Sequence, residues 1–186
     1  SAQGKYDLAI RFYQKTISID PEDAVIHYNL GSVYYKQGKY DLAIKSFQKA
    51  IAIDPNYADS YSWLGAAYNV QGKYDLAIAS YQKAIAIDPN DASSHSWLGL
   101  VYHVQGKYNL AIESFQKAIT INPEDARYHY GLARAYSLHD KKTLSVESLR
   151  KAISLDKDSI GRAEDESDFD NIRESPEFQA LIRPVE

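Results

Sequence analysis

The tripeptide Gly-Lys-Tyr occurs at Gly4-Lys5-Tyr6, Gly38-Lys39-Tyr40, Gly72-Lys73-Tyr74 and Gly106-Lys107-Tyr108, each copy 34 residues after the one before. Pro21, Pro55, Pro89 and Pro123 keep the same step. A fixed period of this length means that one supersecondary unit is stacked several times, each copy contacting mainly its neighbours. The constraint reaches function as well, because a repeat array usually presents a surface rather than carrying out chemistry.

Aligned on the prolines, the array over 1–159 divides into a half repeat at 4–23 and full repeats at 24–57, 58–91, 92–125 and 126–159. A connector and capping helix fill 160–186. In the first full repeat Leu30, Gly31 and Tyr34 fall in the first half, and Ala43, Phe47, Ala50 and Pro55 in the second. Each half spaces its apolar residues at a helical period, which predicts an amphipathic helix. Gly38, Gly72 and Gly106 stand where the first helix must stop, since glycine accepts a left-handed helix end without steric cost. Asp54-Pro55, Asp88-Pro89 and Asn122-Pro123 end the second helix, because proline lacks an amide donor and displaces the preceding residue from helical geometry.

Gly31, Gly65 and Gly99 lie inside helices, where glycine costs about 1 kcal/mol relative to alanine. A repeated cost of that kind predicts close helix approach, with Ala43, Ala50 and their equivalents as the small facing partners. The fourth repeat departs from the pattern: Ala133 replaces the helix glycine, Asp140 the turn glycine, Ser145 the small alanine and Lys157 the proline. Atypical terminal repeats are expected where stacking stops and a face meets water.

This pattern resembles the tetratricopeptide repeat (TPR) family over residues 4–159. The resemblance implies an all-α, right-handed superhelical solenoid of antiparallel helix pairs with a C-terminal capping helix. It also implies that the first helix of each pair lines a concave groove. Trp63 and Trp97 depart from the family's usual tryptophan place, which here holds His27, Tyr61, His95 and His129. Residues 167–181 resemble the closing segment of some members. Ser175 would then cap a short helix and Pro176 begin it, while Ile172, Phe178, Leu181 and Ile182 cover the last repeat. That end reads as the natural C-terminus of the parent protein. The N-terminal half repeat reads as the cut edge of a longer array, its helix expected to fray or to pack on another molecule.

A second stripe runs along each first helix, about 100° from the packing stripe, and the family places it on the groove. It carries Tyr28, Asn29 and Tyr35; then Trp63 and Asn69; then Trp97, Leu100 and His103; then Arg127, Tyr130 and Arg134. A purely solvated stripe would be charged, whereas this one is aromatic and apolar in its middle with two arginines at one end. Contiguous apolar surface with a polar rim marks binding sites, and tryptophan, tyrosine and arginine dominate interface energetics. The plainer alternative is that the two tryptophans pack on each other. The expected partner is a peptide or amphipathic helix of another protein, with apolar anchors and an acidic group facing Arg127 and Arg134. Some family members bind chaperone C-termini through a carboxylate clamp, but its places here hold Tyr28, Ser32, Trp63, Ser93 and Trp97. That ligand class is not expected.

Composition narrows the rest. A formal net charge of −4 gives no basic stripe for nucleic acid. No apolar run approaches the roughly 20 residues of a membrane span, and the absence of cysteine removes disulfide and thiolate chemistry. A soluble, cytoplasmic setting is the expectation. His27, His95 and His129 share one repeat position, so neighbours stand roughly 10 Å apart by helix packing, too far to share a zinc ion. The acidic stretch Glu164 to Asp170 reads as a solvated connector, and a calcium-loop frame starting at Asp156 fails at its fifth and twelfth places, Ile160 and Ser167. Gly-Lys-Tyr lacks the glycine spacing and following hydroxyl of a phosphate loop. The reading is a non-catalytic interaction module without cofactor or metal. The alternatives are a scaffold that self-associates through the N-terminal half repeat, and a regulatory arm of an enzyme whose catalytic part lies elsewhere.

Overall fold

The computed structural model describes residues 2–183, which are helical with no strand among them. The chain divides into two compact units, 1–90 and 91–186. The first holds α1 (Ala2–Ile19), α2 (Ala24–Lys36), α3 (Tyr40–Ile53), α4 (Ala58–Val70) and α5 (Tyr74–Ile87). The second holds α6 (Ala92–Val104), α7 (Tyr108–Ile121), α8 (Ala126–Leu138), α9 (Lys142–Leu155), α10 (Ser159–Asp165), a 3-10 turn (Ser167–Phe169) and α11 (Pro176–Ile182).

Within a repeat, the helix ends follow from local chemistry. Asp23, Asp91 and Asp125 cap α2, α6 and α8, their carboxylates accepting from backbone amides of the first turn. Gly38, Gly72 and Gly106 adopt φ of 74°, 72° and 72°. The next amide then turns back, so that Lys39 donates to the Tyr34 carbonyl, Lys73 to Tyr68 and Lys107 to Tyr102, each at 2.9 Å. Asp140 makes the same turn with φ of 56°. Past the second helix, the side chains of Asp54, Asp88 and Asp156 accept from the amide two residues on at 2.9, 3.0 and 3.0 Å, fixing the turn. His27 Nε2 donates to the Pro21 carbonyl at 2.9 Å and His129 Nε2 to that of Pro123 at 2.8 Å. These two histidines therefore brace the joint between repeats.

In the first unit Leu30, Tyr34, Ala43, Ile44, Phe47, Leu64 and Ala67 form the core, and α1 adds Ile10, Tyr13 and Ile17. The opposite side of α1 leaves Leu8 and Phe12 exposed. Gln14 and Gln48 donate to the hydroxyls of Tyr34 and Tyr68, each pair 20 residues apart, and Gln116 does the same for Tyr136 in the second unit.

The partner of the helix glycines differs from the alanine expected. A Cβ on Gly31 would stand 2.7 Å from the Phe47 ring, one on Gly65 2.9 Å from Tyr81, and one on Gly99 3.2 Å from Phe115. An aromatic ring fills the space that each glycine opens. Ala43 and Ala50 are fully buried, but they flank that ring on the same helix face as Phe47 instead of meeting the glycine.

In the second unit Ala111, Ile112, Phe115, Leu132, Ala135 and Tyr136 form one core. A further core closes the chain: Ala133, Val146, Leu149 and Ala152 of α8 and α9 meet Phe169, Ile172, Phe178 and Ile182, with Leu181 alongside. Ser175 Oγ accepts from the Phe178 amide at 3.3 Å and Pro176 opens α11. No helix among the described residues is long and apolar enough to cross a membrane.

Candidate functional site

The first-helix faces differ between the units. In the first, the stripe is aromatic and interlocked. Tyr35 and Trp63 meet edge to face at 5.2 Å, and Tyr28 lies 5.1 Å from Tyr57 and 6.0 Å from Phe47. Tyr28, Asn29, Tyr35, Trp63 and Asn69 are all half-buried. Burial raises the phenol pKa of Tyr28 and Tyr35 above the ordinary value, which keeps these rings neutral.

In the second unit the stripe opens into a pocket of about 190 Å³ between α6 and α8. Trp97 and Leu100 stand on one side, Tyr130 and Gly131 on the other, with Phe115 lining it as well and Arg127, Arg134 and Arg162 bordering it. Trp97 remains 43% exposed. At the place where the two preceding repeats carry Trp63 and Trp97, the fourth carries Gly131. The Phe115 ring has taken the space a side chain there would need, since a Cβ on Gly131 would fall 2.5 Å from it.

The arginines around the pocket are already matched. Arg127 holds Asp125, the cap of its own helix, with Nη2 at 2.5 Å, and each partner shifts the other: the Asp125 pKa is lowered and that of Arg127 raised, mainly through this hydrogen bond. Arg162 pairs with Asp156 at 3.2 Å. Arg134 receives two carboxylates from the closing segment, with Nε 2.7 Å from Asp168 Oδ2 and 3.1 Å from Glu166 Oε2.

Asp168 also lies 3.0 Å from His103 Nε2. The His103 ring is buried, with Tyr108 edge-on at 5.9 Å. Desolvation lowers its pKa below the ordinary histidine value; Asp168 and Glu166 work against that, Arg134 with it. One helical turn beyond Arg134, the Ser137 hydroxyl donates to Asn171 Oδ1 at 2.5 Å, and Asn171 Nδ2 donates to the Ser137 carbonyl at 2.7 Å. Tyr130 meets Phe169 edge to face at 5.8 Å. Burial first, then Glu166, raises the Tyr130 hydroxyl to about 12.

Of the residues read from sequence, Trp97, Leu100, Arg127, Tyr130 and Arg134 therefore come together at one pocket. His103 joins Arg134 through Asp168 but does not line the pocket. Gly131 and Ser137 lie on the same stripe, and sequence reasoning missed Arg162, Glu166, Asp168 and Asn171 as parts of the site. One signal was present: Asp168 follows Arg134, and Asn171 follows Ser137, by one repeat length of 34 residues.

Antiparallel helix pairs, glycine stops, proline ends and a ligand-sized opening on the first-helix side define a helical-repeat solenoid of the interaction or scaffold class. Family models described as TPR repeat match residues 2–38, 31–71, 68–106 and 102–139, and one described as tetratricopeptide repeat matches 126–159. The chain belongs to the tetratricopeptide repeat family. Among solved structures it is similar to MamA, with 31% identity over 86% of this chain and 94% of that one and a TM-score of 0.77. It is similar also to MamA 41-end from Desulfovibrio magneticus RS-1, at 25% identity over 89% and 90% with a TM-score of 0.75. YrrB, described as a TPR protein with an unusual peptide-binding site, shares the fold at 23% identity over 88% and 86%, TM-score 0.72. Comparison with curated proteins gave no match.

Proposed function

We propose that the chain is a non-catalytic module whose first-helix face binds a segment of a partner protein, a peptide or an amphipathic helix. The observation that carries this reading is Trp97, 43% exposed at the mouth of an apolar-walled pocket. The part of the indole left in water forgoes burial worth about 25 cal/mol per Å² of apolar area, and large aromatics beside a pocket are the usual anchors of protein interfaces. Trp63, Tyr28 and Tyr35 supply aromatic surface of the same kind in the first unit.

Affinity capture with the wild-type chain, followed by titration of the captured partner, tests the reading. Trp97→Ala should weaken binding by roughly 2 kcal/mol or more, a loss of about 30-fold. Unchanged affinity in the Trp63→Ala/Trp97→Ala double variant, with an unchanged melt, sinks it.

A second reading, self-association, draws on α1, where Leu8 is 68% and Phe12 64% exposed. Both lie on the side of the helix away from Ile10 and Ile17. Light scattering across a dilution series should show assembly that Phe12→Asp abolishes. A monomer at every concentration removes this reading and leaves the first intact.

A further inference from the structure

Three arginines border the pocket, and a partner bearing carboxylates looks like the natural occupant. The ion pairs argue otherwise. Arg127 is matched by Asp125, Arg162 by Asp156, and Arg134 by both Glu166 and Asp168. With four carboxylates on three guanidiniums, the rim offers an incoming anion no unmatched charge. An acidic side chain entering here would lose its hydration and meet repulsion from Glu166 and Asp168, a cost that an already satisfied cation does not repay. An uncharged apolar side chain loses nothing of the kind and gains contact with Trp97, Leu100 and Phe115.

We infer that the pocket between α6 and α8 takes one uncharged apolar side chain of a partner segment, and that Glu166 and Asp168 of the closing segment set this selectivity. The two carboxylates are specificity residues. They hold Arg134 within the chain's own ion pairs, so that acidic segments are turned away. This inference rests on the reading that the first-helix face binds partner segments, and it replaces the acidic group expected from sequence with the chain's own.

The geometry favours a single residue as occupant. The volume, about 190 Å³, suits one aromatic or branched aliphatic side chain. Gly131 and Phe115 both line it, the Phe115 ring packed where a Cβ on Gly131 would fall. The closing segment is seated firmly enough to keep its carboxylates on Arg134: Phe169 is fully buried, and Asn171 is held by two hydrogen bonds to Ser137.

The test uses the full chain and two capped peptides, acetyl-Gly-Phe-Gly-amide and acetyl-Gly-Glu-Gly-amide, followed at the Trp97 indole amide by NMR, with Trp97→Phe assigning the signal. The wild-type chain should respond to the phenylalanine peptide at least about fivefold more strongly than to the glutamate peptide at equal concentration. In Glu166→Gln/Asp168→Asn, the response to the glutamate peptide should rise at least about threefold, and fall again with added salt, as Arg134 becomes available. Its response to the phenylalanine peptide should hold. If the double variant fails to fold by circular dichroism, Glu166→Gln and Asp168→Asn are read singly: each leaves Arg134 one carboxylate and should raise the glutamate response part of the way, and no rise in either overturns the inference.

A wild-type preference for the glutamate peptide overturns the inference. So does an unmoved Trp97 signal with the phenylalanine peptide, or an unchanged response to the glutamate peptide once the carboxylates are gone. Partner binding that persists without any change at Trp97 leaves the module reading standing and removes only this pocket from it.

Discussion

At one turn the fourth repeat keeps the backbone conformation of the others without their glycine. Gly38, Gly72 and Gly106 enter the left-handed region with no Cβ to clash, whereas Asp140 takes the same conformation at φ of 56°. An L residue there costs roughly 1–2 kcal/mol, less for aspartate than for most. Nothing in the structure compensates strongly, since Asp140 is exposed and its ion pair with Lys142 is 3.9 Å long. Asp140→Gly should therefore stabilise the chain, by about 0.5–1 kcal/mol once the greater freedom of unfolded glycine is counted. A urea titration reads this directly, and a lower midpoint would contradict it.

Helices pack here by letting an aromatic ring of the second helix enter the gap left by a glycine of the first. Replacing Gly31 by alanine would improve helix propensity by about 1 kcal/mol but would bring a methyl to within 2.7 Å of the Phe47 ring. That ring is fully buried and has nowhere to retreat, so overpacking outweighs propensity. We expect Gly31→Ala to destabilise by a net 1–2 kcal/mol or so, measured as a lowered thermal midpoint; a gain in stability would show that the ring yields freely. This pairing marks a limit of what was legible. Period, helix stops and turn prolines could be read because each acts on its own few residues. Ring against glycine could not, because which of Ala43, Phe47 and Ala50 meets Gly31 depends on how two helices are rotated about their axes. The stripe was legible in the same way, through residue type and spacing. The engagement of Arg134 was not: it depends on α10 stopping at Asp165, so that Glu166 and Asp168 come down on α8 and α6 and not on a further helix. The 34-residue spacing held that information in a form indistinguishable from another repeat.

At the scale of the whole molecule, burial of His103 couples folding to pH. The His103 ring is buried and faces Asp168, Arg134 and Glu166, with Tyr108 against it; desolvation lowers its pKa. A histidine held below its unfolded value of about 6.5 binds fewer protons when folded, so its stabilising effect is complete above that value and is lost as pH falls through it. Chemical denaturation between about pH 7.5 and 5.5 should show stability declining toward acid, with carboxylate titration entering only nearer pH 4. His103→Asn should flatten that slope. A wild-type curve that is flat or rises toward acid would mean that Asp168 and Glu166 outweigh burial.

The hydrogen bonds of Gln14 to Tyr34, Gln48 to Tyr68 and Gln116 to Tyr136 span 20 residues each and use the same two atoms. They act as identical buckles, each joining the second helix of one copy to the first helix of the next. Parts fastened alike are interchangeable. A 34-residue copy duplicated or excised between buckles would find the same fastening on both sides, so the length of such a chain is free to drift by whole units while its closing segment stays unique.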